Sequence, residues 1–158
     1  YWKGFNEAYE NRMSIHKPIM RGVQAVGSDP IVTDQIIENP ETIASAIRIG
    51  NPASWKSALH SRDESGGSIQ SVSDSEILDA YELLASSEGL FCEPASAASV
   101  AGLLRRFQDG ERFHDKIIVC VLTGNGLKDP DIADNINPIS IEEYDAELES
   151  LEGALSIS

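Results

Sequence analysis

The chain has 158 residues, 41% hydrophobic and 24% charged, the proportions of one ordinary globular domain, and composition gives no support for disorder, a collagen-like fibre or a disulfide scaffold. Its 26 acids against 12 bases give a net charge of −14, which repels phosphate backbones and anionic lipid and argues against nucleic-acid and membrane partners. No apolar run reaches the roughly 20 residues a bilayer needs and no signal-peptide pattern opens the chain, so a soluble, cytoplasmic protein is expected.

The chain begins at Tyr1 rather than Met, and Phe5, Ala8 and Tyr9 fall at helical spacing, as though a helix were entered in its middle. A fragment of something longer is therefore expected. Residues 18–26 (PIMRGVQAV) read as a short buried strand bracketed by Pro and Gly, followed by a turn at Gly27-Ser28-Asp29-Pro30. Asn39-Pro40-Glu41 has helix-start chemistry and predicts a helix through ETIASAI, which Gly50-Asn51-Pro52 breaks. A second helix is predicted over PASWKSALHSRDE, with Trp55, Ala58 and Leu59 on one side, and a short strand over residues 68–72.

Ser73 and Glu76 form a capping box, and Ile77, Ala80, Tyr81 and Leu84 repeat at i, i+3, i+4 and i+7, so one face of that helix packs inward while Asp79 and Glu82 face water. Gly89 closes the helix. Glu93-Pro94 starts another, whose first turns (ASAASVAG) are almost all small and admit a close neighbour. Residues 116–122 (KIIVCVL) are a continuous apolar run with no alternation, the pattern of a parallel strand buried on both faces. Alternating strands and helices predict an α/β fold, a parallel sheet with helices on both faces, whose ligands sit beyond the carboxyl ends of the strands.

From residue 134 onward structural signals thin out. Nine of the 26 acids and none of the 12 bases lie in residues 129–158. Residues 140–144 could start a short helix, and residues 145–158 read as loose. The expected division is a catalytic-domain part over 1–133 and an acidic extension over 134–158. Cys92 and Cys120 lie in apolar surroundings and read as buried, reduced thiols; His16, His60 and His114 are too scattered for a zinc site.

Three segments could carry chemistry. The loop TGNGLKDPD (123–131) follows the apolar run, where Thr123 can point a hydroxyl into a crevice and two glycines allow positive φ and close backbone approach. It is neither a dinucleotide fingerprint, which would need Gly at position 129, nor a Walker loop; a plain strand-to-helix turn is the competing reading. EPASAAS (93–99) places Glu93 at a helix start, where it either complements the helix dipole or lies near a bound ring. In AIRIGNP (46–52), Arg48 is an anion ligand or a surface ion-pair partner.

Taken in order, ETIASAIRIGNPASW, ESGGSIQSVSDSEILDAY, EGLFCEPASAASVAGLL and VLTGNGLKDPD resemble the threonine synthase family of pyridoxal-phosphate enzymes, with a tryptophan-synthase-like (type II) fold. The resemblance runs from Tyr1 to about Asp131 and corresponds to a carboxyl-terminal half; Asn125 stands where the family often has His. It implies pyridoxal 5'-phosphate as cofactor, with the Thr123 hydroxyl on the pyridine nitrogen, Ala46 against a ring face and Glu93 near the ring edge. It also implies that the Schiff-base lysine and the phosphate loop lie upstream, since Lys3, Lys17, Lys56, Lys116 and Lys128 match no catalytic lysine. The piece alone would then be inactive. The implied reaction of the whole is conversion of O-phospho-L-homoserine and water to L-threonine and phosphate, in a homodimer that includes the missing amino-terminal half. A serine or threonine dehydratase of the same fold is the alternative enzyme. A non-catalytic acidic binding module is the alternative of another class.

Overall fold

The computed structural model of the chain describes residues 1–136, 138 and 142–155. Its elements are α1 (Trp2–Glu10), β1 (Arg21–Ala25), α2 (Pro30–Thr33), α3 (Trp55–Glu64), β2 (Ser68–Val72), α4 (Asp74–Glu88), α5 (Pro94–Gln108), α6 (Pro130–Ile136) and α7 (Leu148–Leu155), with 3₁₀ turns at Ser45–Ile47 and Gly126–Lys128. β1 and β2 pair in parallel, from Arg21 opposite Ser68 to Ala25 opposite Val72. Successive side chains of a strand point to opposite faces, and here the two faces meet different helices. On one, Gln70 Nε2 donates to the Gly102 carbonyl at 2.7 Å, and α5 lies so close that a Cβ on Gly102 would sit 2.5 Å from Val23. On the other, Gln24 Oε1 accepts the Ile31 and Val32 amides at 3.0 and 3.2 Å, while Ser71 donates to Asp29 at 2.6 Å, which seats α2. The fold is thus α/β, a parallel sheet with a helix on each face.

The core lies where α4 meets α5. Ile77, Ala80, Tyr81 and Leu84 of α4 are buried with Ala97, Ala98 and Ala101 of α5, and Ala25 and Val72 close it from the sheet. The small residues of α5 therefore serve mainly to let α4 and the sheet approach. The capping box is present, with the Ser73 amide donating to Glu76 Oε2 at 2.7 Å and the Ser73 hydroxyl accepting from the Glu76 amide at 3.3 Å. Gly89 ends α4 at φ 67°. No helix among the described residues is long and apolar enough to cross a membrane.

Three expectations need correction. The helix predicted over ETIASAI is only the 3₁₀ turn Ser45–Ile47, because two amides that would bond back to Asn39 and Pro40 are spent elsewhere, Ile43 on Asp74 at 3.2 Å and Ala44 on Thr42 Oγ1 at 3.2 Å. Thr42 itself donates to Asp74 at 2.5 Å. Residues 116–122 pair with neither strand and are not enclosed on both faces: Ile117 is 97% and Val119 78% exposed, while Cys120 and Leu122 turn toward the core side, Cys120 Sγ lying 3.9 Å from the Ser99 carbonyl. A β-branched run has strand propensity, but a strand exists only where a neighbour accepts its backbone hydrogen bonds, and the two-stranded sheet offers none there. In the tail, residues 142–145 are not helical, residues 140 and 141 of the same predicted helix start lie outside the described residues, and the stretch read as loose contains α7.

Candidate functional site

The start of α5 and the loop 123–129 are built against each other. Glu93 is the residue before α5, in extended backbone, and Pro94 opens the helix where its missing amide costs nothing. The Glu93 amide donates to the Gly124 carbonyl at 3.1 Å, and Gly126 donates to the Phe91 carbonyl at 3.2 Å; Cys92 and Asn125 face each other in a single antiparallel bridge. Ser96, one turn into α5, accepts the Gly124 amide at 2.9 Å, and its hydroxyl lies 3.4 Å from the Thr123 hydroxyl and 3.5 Å from Glu93 Oε1. Asn125 caps the 3₁₀ turn by accepting the Leu127 amide at 3.0 Å.

Thr123 is exposed, and its only side-chain hydrogen-bond neighbour among the described residues is Ser96. Glu93 is placed quite differently. Its side chain is 2% exposed, its Oε1 and Oε2 lie 3.4 and 3.3 Å from the Lys128 ammonium, and Oε2 makes no hydrogen bond among the described residues. It sits beneath Gly124, where a Cβ would approach Oε1 to 2.0 Å. Neither Gly124 nor Gly126 has positive φ, so that part of the expectation is corrected; both serve close approach, Gly124 to the carboxylate and Gly126 to the Phe91 ring, 2.4 Å from an added Cβ.

Ala46 is exposed on its 3₁₀ turn, and that turn is tied to the same loop because Ser45 Oγ donates to the Asp129 carboxylate at 2.8 Å. The structure therefore gathers the segments of Thr123, Glu93 and Ala46 around one loop, although Glu93 lies behind it. Arg48 does not join them in an ion pair; its Nε donates to the Thr42 carbonyl at 2.9 Å and closes the turn. Both cysteines are free thiols, Cys92 buried and Cys120 half-buried. Burial pushes both thiols up, and the neighbouring Glu93 charge adds to the effect at Cys92. Ser96, Lys128 and the Ser45–Asp129 contact escaped the reading of single motifs. Glu93 and Ser96 do stand three residues apart across a helix start, a spacing that places side chains together.

The sequence pattern described as pyridoxal-phosphate dependent enzyme matches residues 1–124. The chain belongs to that family. Within this family of pyridoxal-phosphate dependent enzymes, it is similar to the threonine synthases of Halalkalibacterium halodurans and Synechocystis sp., 56% and 54% identical over 133 residues, which are 84% of this chain but 37% and 34% of theirs. The threonine synthase of Bacillus sp. is 50% identical over 151 residues, 96% of this chain and 43% of its own. The chain thus spans well under half the length of these curated relatives. The crystal structure of T.th. threonine deaminase superposes with a TM-score of 0.51 at 20% identity, covering 68% of this chain and 40% of that one, and bears on the fold alone.

Proposed function

We propose that this chain forms part of a threonine synthase, an enzyme that converts O-phospho-L-homoserine and water to L-threonine and phosphate. The observation that carries the reading is the exposed Thr123 hydroxyl on a loop pinned to the α5 start, in a chain 46–56% identical to curated threonine synthases. These residues fit one side of a pyridoxal 5'-phosphate site. Thr123 offers a neutral hydroxyl with spare hydrogen-bonding capacity, suited to the pyridine nitrogen, and Ala46 offers a flat methyl surface on a turn fastened to the same loop. When bound, the cofactor supplies an electron sink for a substrate carbon that loses a proton. Thr123 then orients the ring without a formal charge beside the nitrogen, and so does not hold a proton there as a carboxylate would. Glu93, under Gly124, supports the loop from behind.

The lysine that anchors the cofactor is proposed to lie outside these 158 residues, as are most ligands of the substrate phosphate. Residues 1–133 would belong to the catalytic domain and 134–158 would form an acidic extension, in a cytoplasmic homodimer completed by the amino-terminal half.

The test uses the full-length protein. Phosphate release with threonine formation from O-phosphohomoserine is expected; formation of a 2-oxo acid and ammonia from threonine or serine, with no phosphate release, would instead make it a dehydratase. Thr123→Ala is expected to retain the cofactor and lose about 10-fold or more in turnover, whereas Ala46→Phe should lower cofactor occupancy by intruding on the ring. Unchanged kinetics and occupancy in both variants would remove these residues from the site.

A further inference from the structure

A fully buried carboxylate usually meets several good donors, because leaving its charge unpaired in a poorly solvated place is costly. Glu93 does not. Its Ser96 and Lys128 contacts are long, at 3.5 Å and 3.3 to 3.4 Å, and among the described residues Oε2 accepts no hydrogen bond. Yet the loop is shaped around it: glycine at position 124 gives the carboxylate its room, the Glu93 amide holds the Gly124 carbonyl at 3.1 Å, and Ser96 holds the Gly124 amide at 2.9 Å. Both hydrogen-bonding groups of the residue following Thr123 are thus fastened to one turn of α5. The Lys128 ammonium, on a side chain 59% exposed, closes the arrangement from the far end of the loop.

We propose that Glu93 and Lys128 form a latch that fixes the backbone of residues 123–128 on the α5 start, so that Glu93 is a positioning residue for the Thr123 hydroxyl rather than a ligand of the cofactor. The assignment of Thr123 rests on the function proposed above; the latch rests only on contacts within the chain. Lys128 supplies the charge that compensates the buried carboxylate, and Ser96 converts a fixed carboxylate into a fixed Gly124 amide. Loosening either end frees the loop and lets the Thr123 hydroxyl wander from one orientation.

The experiment compares Lys128→Met, Lys128→Arg and Glu93→Gln in the full chain by amide hydrogen exchange without cofactor, followed by titration with pyridoxal 5'-phosphate monitored by its visible absorption. Exchange at the Gly124 and Glu93 amides is expected to rise about tenfold in Lys128→Met and Glu93→Gln, the scale set by leaving a buried charged group or its partner unsatisfied. It should return toward the original rate in Lys128→Arg, which keeps the cation. The amides of Val23 and Gln70 in the sheet serve as the internal reference and should not change, separating a freed loop from general unfolding. A broadened or shifted absorption band in the two loosened variants, restored by Arg, is the signature expected of a misplaced hydroxyl. Unaltered exchange at Gly124 in both Lys128→Met and Glu93→Gln would overturn the latch, and so would a spectral change in Glu93→Gln with unaltered exchange, which would make Glu93 a direct ligand. Failure of the unsubstituted chain to take up the cofactor would instead count against the functional reading, and the exchange result would still decide the latch.

Discussion

Gly124 and Glu93 show how one position constrains another. An added Cβ at Gly124 would fall 2.0 Å from Glu93 Oε1, well inside contact distance, and the carboxylate has no exposed space into which to retreat. Gly124→Ala is therefore expected to destabilise the protein by about 1–3 kcal/mol, the usual range for overpacking. Most of that cost should vanish when Glu93 is also changed to Ala, because the obstacle has gone. Urea unfolding of the two single variants and the double variant checks this; strictly additive costs would show that the clash is relieved elsewhere. The two glycines were visible as a place of close approach, but what approached was not, since the carboxylate comes from 31 residues earlier in the chain.

At the scale of the element, α4 is the clearest case of local chemistry deciding structure. Burial pushes the Glu76 carboxyl up, but the Ser73 amide, the Ser73 hydroxyl and Arg105 together outweigh it and hold the group below its ordinary 4.5. A carboxyl lowered in the folded state adds stability that is fully present above its unfolded value and is lost as pH falls through the folded one. Ser73→Ala is accordingly expected to cost about 1 kcal/mol at pH 7 and less at pH 3, where Glu76 is increasingly protonated. Denaturant titrations at the two pH values test this, and an equal loss at both would assign the cap to the Ser73 hydroxyl without the Glu76 charge. The same local grammar misleads at Asn39-Pro40-Glu41, where a good helix start is overridden because Thr42 and Ile43 bind the Asp74 carboxylate at the beginning of α4.

For the whole molecule, the segment 116–122 is the most informative disagreement. Its composition suits a central strand, yet Ile117, Val119 and Val121 face outward and the described sheet has only β1 and β2. These 158 residues produced by themselves are expected to bind a hydrophobic dye and to self-associate through this edge, because an unpaired apolar run offers a template for another chain. Val119→Lys should reduce both effects, as measured by dye fluorescence and light scattering; no reduction would place the sticky surface elsewhere. The boundaries of β2, the capping box and buried face of α4, the start of α5 and the family to which the chain belongs are all legible in the amino-acid order, since each is written in motifs or in spacings of a few residues. Packing in three dimensions is what puts α5 and α2 on opposite faces of the sheet, Glu93 behind the loop with Lys128, and Thr42 on Asp74 in place of a helix. Those contacts join residues 32 to 42 positions apart, and which of many distant groups will meet depends on how the helices and strands pack, information that no local period carries.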